Sequence, residues 1–272
     1  MLTLLKIINR LFLRRKIGNH KHAHVFDYLQ RVSMEGKSFG FAGSVARSGE
    51  KKVIEFVQHK IGNGTGTIFD VGANVGQYQR LFLKNYSNPN ISLHSFEPSP
   101  STYTTLENNK KDSRISNYNV GLGETASELK LFRNQPGSPL ASLYKKGADD
   151  YYHVKNMDDF ELVKIKTLDT FCQENKIDKI DYLKMDVEGH ELFVLLGAKH
   201  MLNAKKISMI QFEFGPANID SKTYFRDFYR LLGNDYIIYR VMKTGISPIQ
   251  AYSELEEVFL PINYFAVLKS MN

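Results

Sequence analysis

Asp186, Glu188, His190 and Glu191 are four ionisable side chains within six consecutive residues. They close the apolar run 180–186, so they belong at the carboxyl end of a strand, where open α/β sheets present groups to a ligand. A carboxylate or imidazole there can take a proton from an acceptor. Glu188 and Glu191 can equally cap the next helix and complement its dipole. Two more runs end in an acid. In Thr67-Ile-Phe-Asp-Val-Gly-Ala-Asn-Val-Gly76, the strand ends at Asp70 and Val71. Gly72 then permits a tight turn and close ligand approach, and Gly76 lets a helix pack onto the sheet. The spacing is G-x-x-x-G after an acid, unlike the G-x-G-x-x-G of dinucleotide binders. A carboxylate at Asp70 repels phosphate and suits a cationic ligand bearing ammonium or sulfonium groups. In Ser95-Phe-Glu-Pro98, Glu97 can accept both hydroxyls of a ribose.

The elements that must hold these residues alternate. Strands are predicted at 67–71, 91–97, 115–120, 128–133, 161–166, 180–186 and 207–214. Helices are predicted at about 75–84, 103–111, 168–174, 188–202 and 224–232, and one precedes them at 50–59. Two β-rich segments, 236–241 and 258–268, close the chain without a long helix between them, which suggests an antiparallel addition at one edge. Strands alternating with helices imply a mostly parallel α/β sheet. The parse is a basic amphipathic leader over 1–24, a helical lead-in over 25–66 and one domain over 67–272.

Charge separates those parts. The chain of 272 residues has 36 Lys and Arg against 29 Asp and Glu, a formal +7. Lys6, Arg10, Arg14, Arg15, Lys16 and Lys21 lie in the leader with no acid, so the remainder carries only +1. A near-neutral body without an aromatic-flanked basic groove argues against nucleic acid. The leader reads as a helix with Leu4, Leu5, Ile7, Ile8, Leu11 and Phe12 on one side. Lys6 and Arg10 interrupt any spanning run, and no uninterrupted apolar run with a cleavage site marks a secretory signal. Residues 1–16 are therefore a candidate peripheral contact with the inner face of a membrane, in a cytoplasmic protein. The single cysteine, Cys172, excludes intrachain disulfides and Cys-based zinc sites.

The ordered set of motifs resembles the FkbM-type S-adenosylmethionine-dependent methyltransferase family. The matching stretches are 69–76, Phe96-Glu-Pro98 with Asn108, Val163-Lys-Ile-Lys-Thr-Leu-Asp169, Tyr182-Leu-Lys-Met-Asp-Val-Glu-Gly-His-Glu191, Gly197-Ala198 and Glu213. The resemblance implies a class I methyltransferase fold: a Rossmann-like, seven-stranded, mostly parallel sheet with helices on both faces and an antiparallel edge strand. It implies methyl transfer to a hydroxyl of a sugar, glycan or natural-product acceptor, free or lipid-linked. S-adenosylmethionine would lie against Asp70, Gly72, Asn74 and Gly76, with Glu97 on its ribose. Catalytic candidates are Asp186, Glu188, His190 and Glu213. Asp186 and His190 are the favoured bases, the imidazole on the expectation that it titrates near its ordinary value. No metal site is expected. The loop 134–160, with Tyr144, Tyr151, Tyr152 and His153, is expected to help choose the acceptor. The alternative is a non-catalytic nucleotide-binding or scaffold module on the same fold.

Overall fold

Short apolar strands, each followed by a helix with one apolar face, must bury both faces of the sheet they build. A computed structural model describes residues 2–43, 47–146 and 157–271 of the chain. The strands are β1 (Gly66–Val71), β2 (Ile91–Phe96), β3 (Ile115–Tyr118), β4 (Gly121–Leu122), β5 (Ser127–Arg133), β6 (Asp159–Lys166), β7 (Ile180–Met185), β8 (Ile207–Phe214), β9 (Tyr236–Met242), β10 (Gly245–Pro248) and β11 (Ile262–Leu268). Among the described residues, eight of them form one sheet in the order β3-β2-β1-β7-β8-β11-β9-β10. The first five run parallel, β11 runs antiparallel to both β8 and β9, and β10 folds back on β9. The sheet thus has one strand more than expected. The reversed β11 is also not at the edge: it is inserted between β8 and β9, and the hairpin strand β10 forms the antiparallel edge.

Side-chain alternation assigns the two faces. Phe69, Val71, Leu183, Met185 and Phe212 belong to one apolar cluster, capped by Leu168, Phe171, Val194 and Leu195. Ile68, Tyr182, Met209 and Phe265 belong to the opposite cluster. That cluster packs under the helices Glu50–Ile61 and Gln77–Asn85 through Val53, Ile54, Val57 and Phe82. The period of two places Asp70 and Lys184 on the second face, beside Ile68 and Tyr182. Apolar burial on this scale, at roughly 25 cal/mol per Å², is what holds the layers together.

β4, β6 and β5 form a separate three-stranded sheet with its own small core of Leu131, Val163 and Ile165. The helix expected over 188–202 is instead two, Glu191–Leu196 and Lys199–Asn203. At the junction Gly197 packs against Gly123, where a Cβ would stand 2.0 Å from the Gly123 carbonyl oxygen. Asp169 restarts the second helix, its carboxylate accepting from the backbone N–H of His200 (2.7 Å) and of Met201 (3.0 Å). The leader is helical over Leu2–Ile8 and continues as a π-turn over Asn9–Leu13. The lead-in contains a helix, Ala23–Gly36, that the sequence reading did not resolve. Among the described residues, no helix is long and apolar enough to cross a membrane.

Candidate active site

A cleft of about 390 Å³ opens at the carboxyl ends of β1, β2, β7 and β8, a volume suited to one small ligand. Seven of the nine expected site residues line it: Gly72, Asn74, Glu97, Asp186, Glu188, His190 and Glu213. Asp70 and Gly76 do not. Asp70 lies fully buried beneath the floor, which corrects its expected place against the ligand. Gly76 instead sits at the start of the helix Gln77–Asn85, at φ +83°.

The glycine loop is shaped by close backbone approach. Gly72 has φ +82°, and a Cβ there would stand 1.9 Å from the carbonyl oxygen of Asp186. Its N–H and that of Ala73 donate to the carbonyl of Phe96, each at 3.0 Å. Asn74 follows at φ +48°, with its side-chain oxygen accepting from Val75 N–H at 2.7 Å. Its own N–H donates to Glu97 Oε2 at 2.9 Å, while Ser99 N–H donates to Oε1 at 2.9 Å. Glu97 is thereby fixed at the cleft wall by one donor from each neighbouring turn. Each carboxylate oxygen keeps acceptor capacity for a further donor. Burial pushes its pKa up to about 7 against the pull of those two N–H groups.

Charge is ordered around Lys184. Asp70 and Lys184 are register partners across β1 and β7, with Lys184 Nζ 3.5 Å from Asp70 and 3.3 Å from Asp186 Oδ2. The ammonium also stands 4.9 Å from the centre of the Tyr78 ring. Burial alone would favour the neutral amine, yet Asp186, Asp70 and Glu50 together hold its pKa above the ordinary lysine value. Among the described residues neither Asp70 oxygen has a hydrogen-bond partner, so Lys184 is what balances it. Below this pair a buried polar chain runs from Tyr78 to Tyr182 (2.7 Å), Gln211 (2.8 Å) and Asn263 (3.1 Å).

The carboxyls of the first motif separate into different states. Asp186 keeps 39% of its side chain exposed to the cleft. Glu188 is held at φ +52°, and its carboxylate accepts from Lys146 Nζ at 2.6 Å. Burial raises its pKa and the Lys146 ammonium opposes the shift. Glu191 Oε1 accepts from Val187 N–H at 2.8 Å, and its Oε2 is buried without a partner among the described residues. Burial pushes Glu191 up to about 7. Glu213 is pushed well above the carboxylate range by burial and by Asp186, Glu188 and Glu191. His190 differs from expectation: desolvation lowers its pKa to about 4, so it is a neutral imidazole at ordinary pH. Its Nδ1 shares a 2.8 Å hydrogen bond with the Tyr144 hydroxyl, and its ring stacks on Phe193.

Four residues of this site were missed as functional or given another role by the sequence reading. Lys184 carries a legible signal, since it lies two residues before Asp186 and therefore on the same face of β7. Glu50 enters from the helix before β1. Lys146 and Tyr144 belong to a segment without regular structure, and nothing local marks their partners. With Ser142 Oγ, which donates to the Glu188 carbonyl at 2.8 Å, they pin the segment 138–146 across the cleft onto the turn at 188–190. Tyr144 thus faces His190, where an acceptor contact was expected. Tyr151, Tyr152 and His153 lie outside the described residues.

The model of one protein family, described as Methyltransferase FkbM domain, matches residues 70–238. "Methyltransferase 1" of Beauveria bassiana is 29% identical over 146 residues, covering 48% of this chain and 57% of that protein. "Hexuronic acid methyltransferase AglP" of Haloferax volcanii is 24% identical over 171 residues, covering 61% of this chain and 64% of that protein. The crystal structure of Methyltransferase FkbM from Methylobacillus flagellatus KT aligns with a TM-score of 0.47 at 18% identity, covering 74% of this chain and 43% of that one. The matches thus span less than two thirds of each relative's length.

Proposed function

Because the chain belongs to the FkbM methyltransferase family, we propose that it is an S-adenosylmethionine-dependent O-methyltransferase acting on a hydroxyl of a sugar, glycan or related natural product. The observation that carries this reading is the pairing, in one cleft, of an anchored Glu97 with a half-exposed Asp186. The residues present fit the cofactor. The turn of Gly72, Ala73 and Asn74 gives close backbone approach, and Glu97 offers two fixed acceptor oxygens for ribose hydroxyls. Asp70 contributes from beneath, by holding Lys184.

The cofactor supplies a methyl group already activated as a sulfonium. The chain aligns the acceptor with it, an effect worth up to roughly 7–11 kcal/mol in favourable intramolecular systems. It also takes the acceptor's proton, worth roughly 10²–10⁴-fold. Asp186 is the base. The neighbouring groups are less suited: Glu188 is paired with Lys146, Glu213 is driven toward its neutral form by burial and the neighbouring acids, and His190 is a weakly basic neutral imidazole. Lys184 Nζ, 3.3 Å from Asp186 Oδ2, orients its carboxylate. The name of the Haloferax volcanii relative supports a sugar acceptor. Calorimetric titration of the full chain with S-adenosylmethionine, followed by methyl-transfer assays on a panel of glycans, tests the reading. Saturable binding and transfer to a hydroxyl are expected; an intact chain that binds no cofactor would overturn it.

A further inference from the structure

The helix Ala23–Gly36 is mounted the wrong way round for an ordinary surface helix. At 100° per residue, Val25, Tyr28, Leu29 and Val32 share one face, and Met34 lies on the other side. Met34 is the residue that packs against the main core. Tyr28, Leu29 and Val32 are exposed, at 66%, 39% and 46%. An amphipathic helix normally turns such a stripe inward, and this one turns it to solvent. The segment before it repeats the pattern: Ile7, Ile8 and Ile17 are exposed among the exposed cations Lys6, Arg10, Arg14, Arg15 and Lys21.

We propose that residues 2–36 form a docking surface for an anionic lipid bilayer. Apolar side chains interleaved with cations, and no acid before Asp27, are the chemistry that inserts into the interface of a negatively charged leaflet. A nucleic acid would use the cations and leave the apolar stripe bare. A second copy of the chain would bring two sets of six leader cations together, and like charges repel. The bilayer satisfies both features at once. The surface is also continuous with the cleft. Phe39 is buried in the main core, Gly40 N–H donates to the Pro261 carbonyl at 2.9 Å, and Ala42 and Gly43 then line the cleft wall. Docking through the helix therefore holds the cleft close to the leaflet, within reach of an acceptor carried on a lipid. The inference stands on this surface alone and does not depend on the reaction the cleft performs.

The test is cosedimentation of the full chain with vesicles of phosphatidylcholine alone and with about one third phosphatidylglycerol. Binding to the anionic vesicles, lost at high salt, and little binding to the neutral ones are expected. The triple variant Tyr28→Ser, Leu29→Ser, Val32→Ser should weaken binding roughly tenfold or more, because the inserted apolar area is gone. The variant Arg10→Gln, Arg14→Gln, Arg15→Gln should weaken it similarly by removing charge. Leu255→Ser, a change at an exposed apolar residue elsewhere, should bind as the parent does. Melting temperatures near the parent's confirm that the variants fold. Failure to bind anionic vesicles overturns the proposal, as does binding that neither multiple variant weakens. So does self-association, seen by light scattering, that the serine variant abolishes, since that would give the face to a second copy.

Discussion

Asp70 and Lys184 stand opposite each other across β1 and β7, and Lys184 reaches on from that pair to Asp186 at the cleft. The acid that opens the glycine-loop motif therefore acts through a lysine 114 residues away in sequence. Burial raises the Asp70 pKa and Lys184 draws it back. Removing one partner strands the other. Lys184→Met should lower stability by about 3–5 kcal/mol. Asp70→Asn with Lys184→Met should recover part of that loss. Urea unfolding of the two variants checks it; equal losses would mean that the pair is not the relevant unit.

Gly72 admits no side chain. Alanine there would put a Cβ 1.9 Å from the Asp186 carbonyl oxygen at φ +82°. Gly72→Ala should open the β1–β7 junction, depress the melting temperature and abolish cofactor binding. Gly137, also at positive φ but with open space around it, offers the contrast. Gly137→Ala should cost only its backbone strain, about 1–2 kcal/mol, and leave cofactor affinity intact.

Glu97 should impose a pH dependence on cofactor affinity. Its pKa of about 7 means that it is ionised above that pH and protonated below it. Ribose hydroxyls donate to the ionised form, so affinity should be flat above about pH 7. Below it, affinity should fall by up to roughly tenfold per pH unit. Glu97→Gln should bind more weakly and lose the slope. Calorimetry between pH 5.5 and 8.5 reads both; a slope unchanged in the variant would assign it to another group.

Asp186→Asn should separate chemistry from binding. As the base, its loss should lower kcat by roughly 10²–10⁴-fold and leave cofactor affinity within a few-fold of the parent. Glu213, which burial and the neighbouring acids push toward its neutral form, should tolerate Glu213→Gln with little change in kcat. Stopped-time assays on an acceptor found in the glycan panel decide between them, and the reverse ranking would move the base to Glu213.

His190 should make the fold acid-sensitive. Its pKa is lowered from 6.5 to about 4, so between those values the unfolded chain binds more protons than the folded one. Its contribution to stability is fully present above about 6.5 and is lost as pH falls toward 4. The slope through that window should be at most about 1.4 kcal/mol per pH unit. His190→Gln should flatten it. Tyr144→Phe removes the hydroxyl at Nδ1 and should loosen the segment 138–146, read as faster amide exchange there.

The strand ends and turns of the site are local properties, and the sequence carried them. Strand-like runs of five to eight residues located β1, β2, β7 and β8 to within a residue or so. Chain continuity then required Gly72, Asn74, Glu97 and Asp186 to emerge at the same end of a parallel sheet. The leader charge and its apolar side were equally plain. What each ionisable group does was not. Asp70 turned downward to Lys184, Glu188 was taken by Lys146, and His190 lost its basicity to burial. The close packing of Gly197 on Gly123 and the position of β11 likewise came from the order in which elements pack. Backbone conformation follows from immediate neighbours and can be read along the chain. Desolvation and charge pairing depend on which distant residues the fold brings within a few ångströms, and only the tertiary structure decides that.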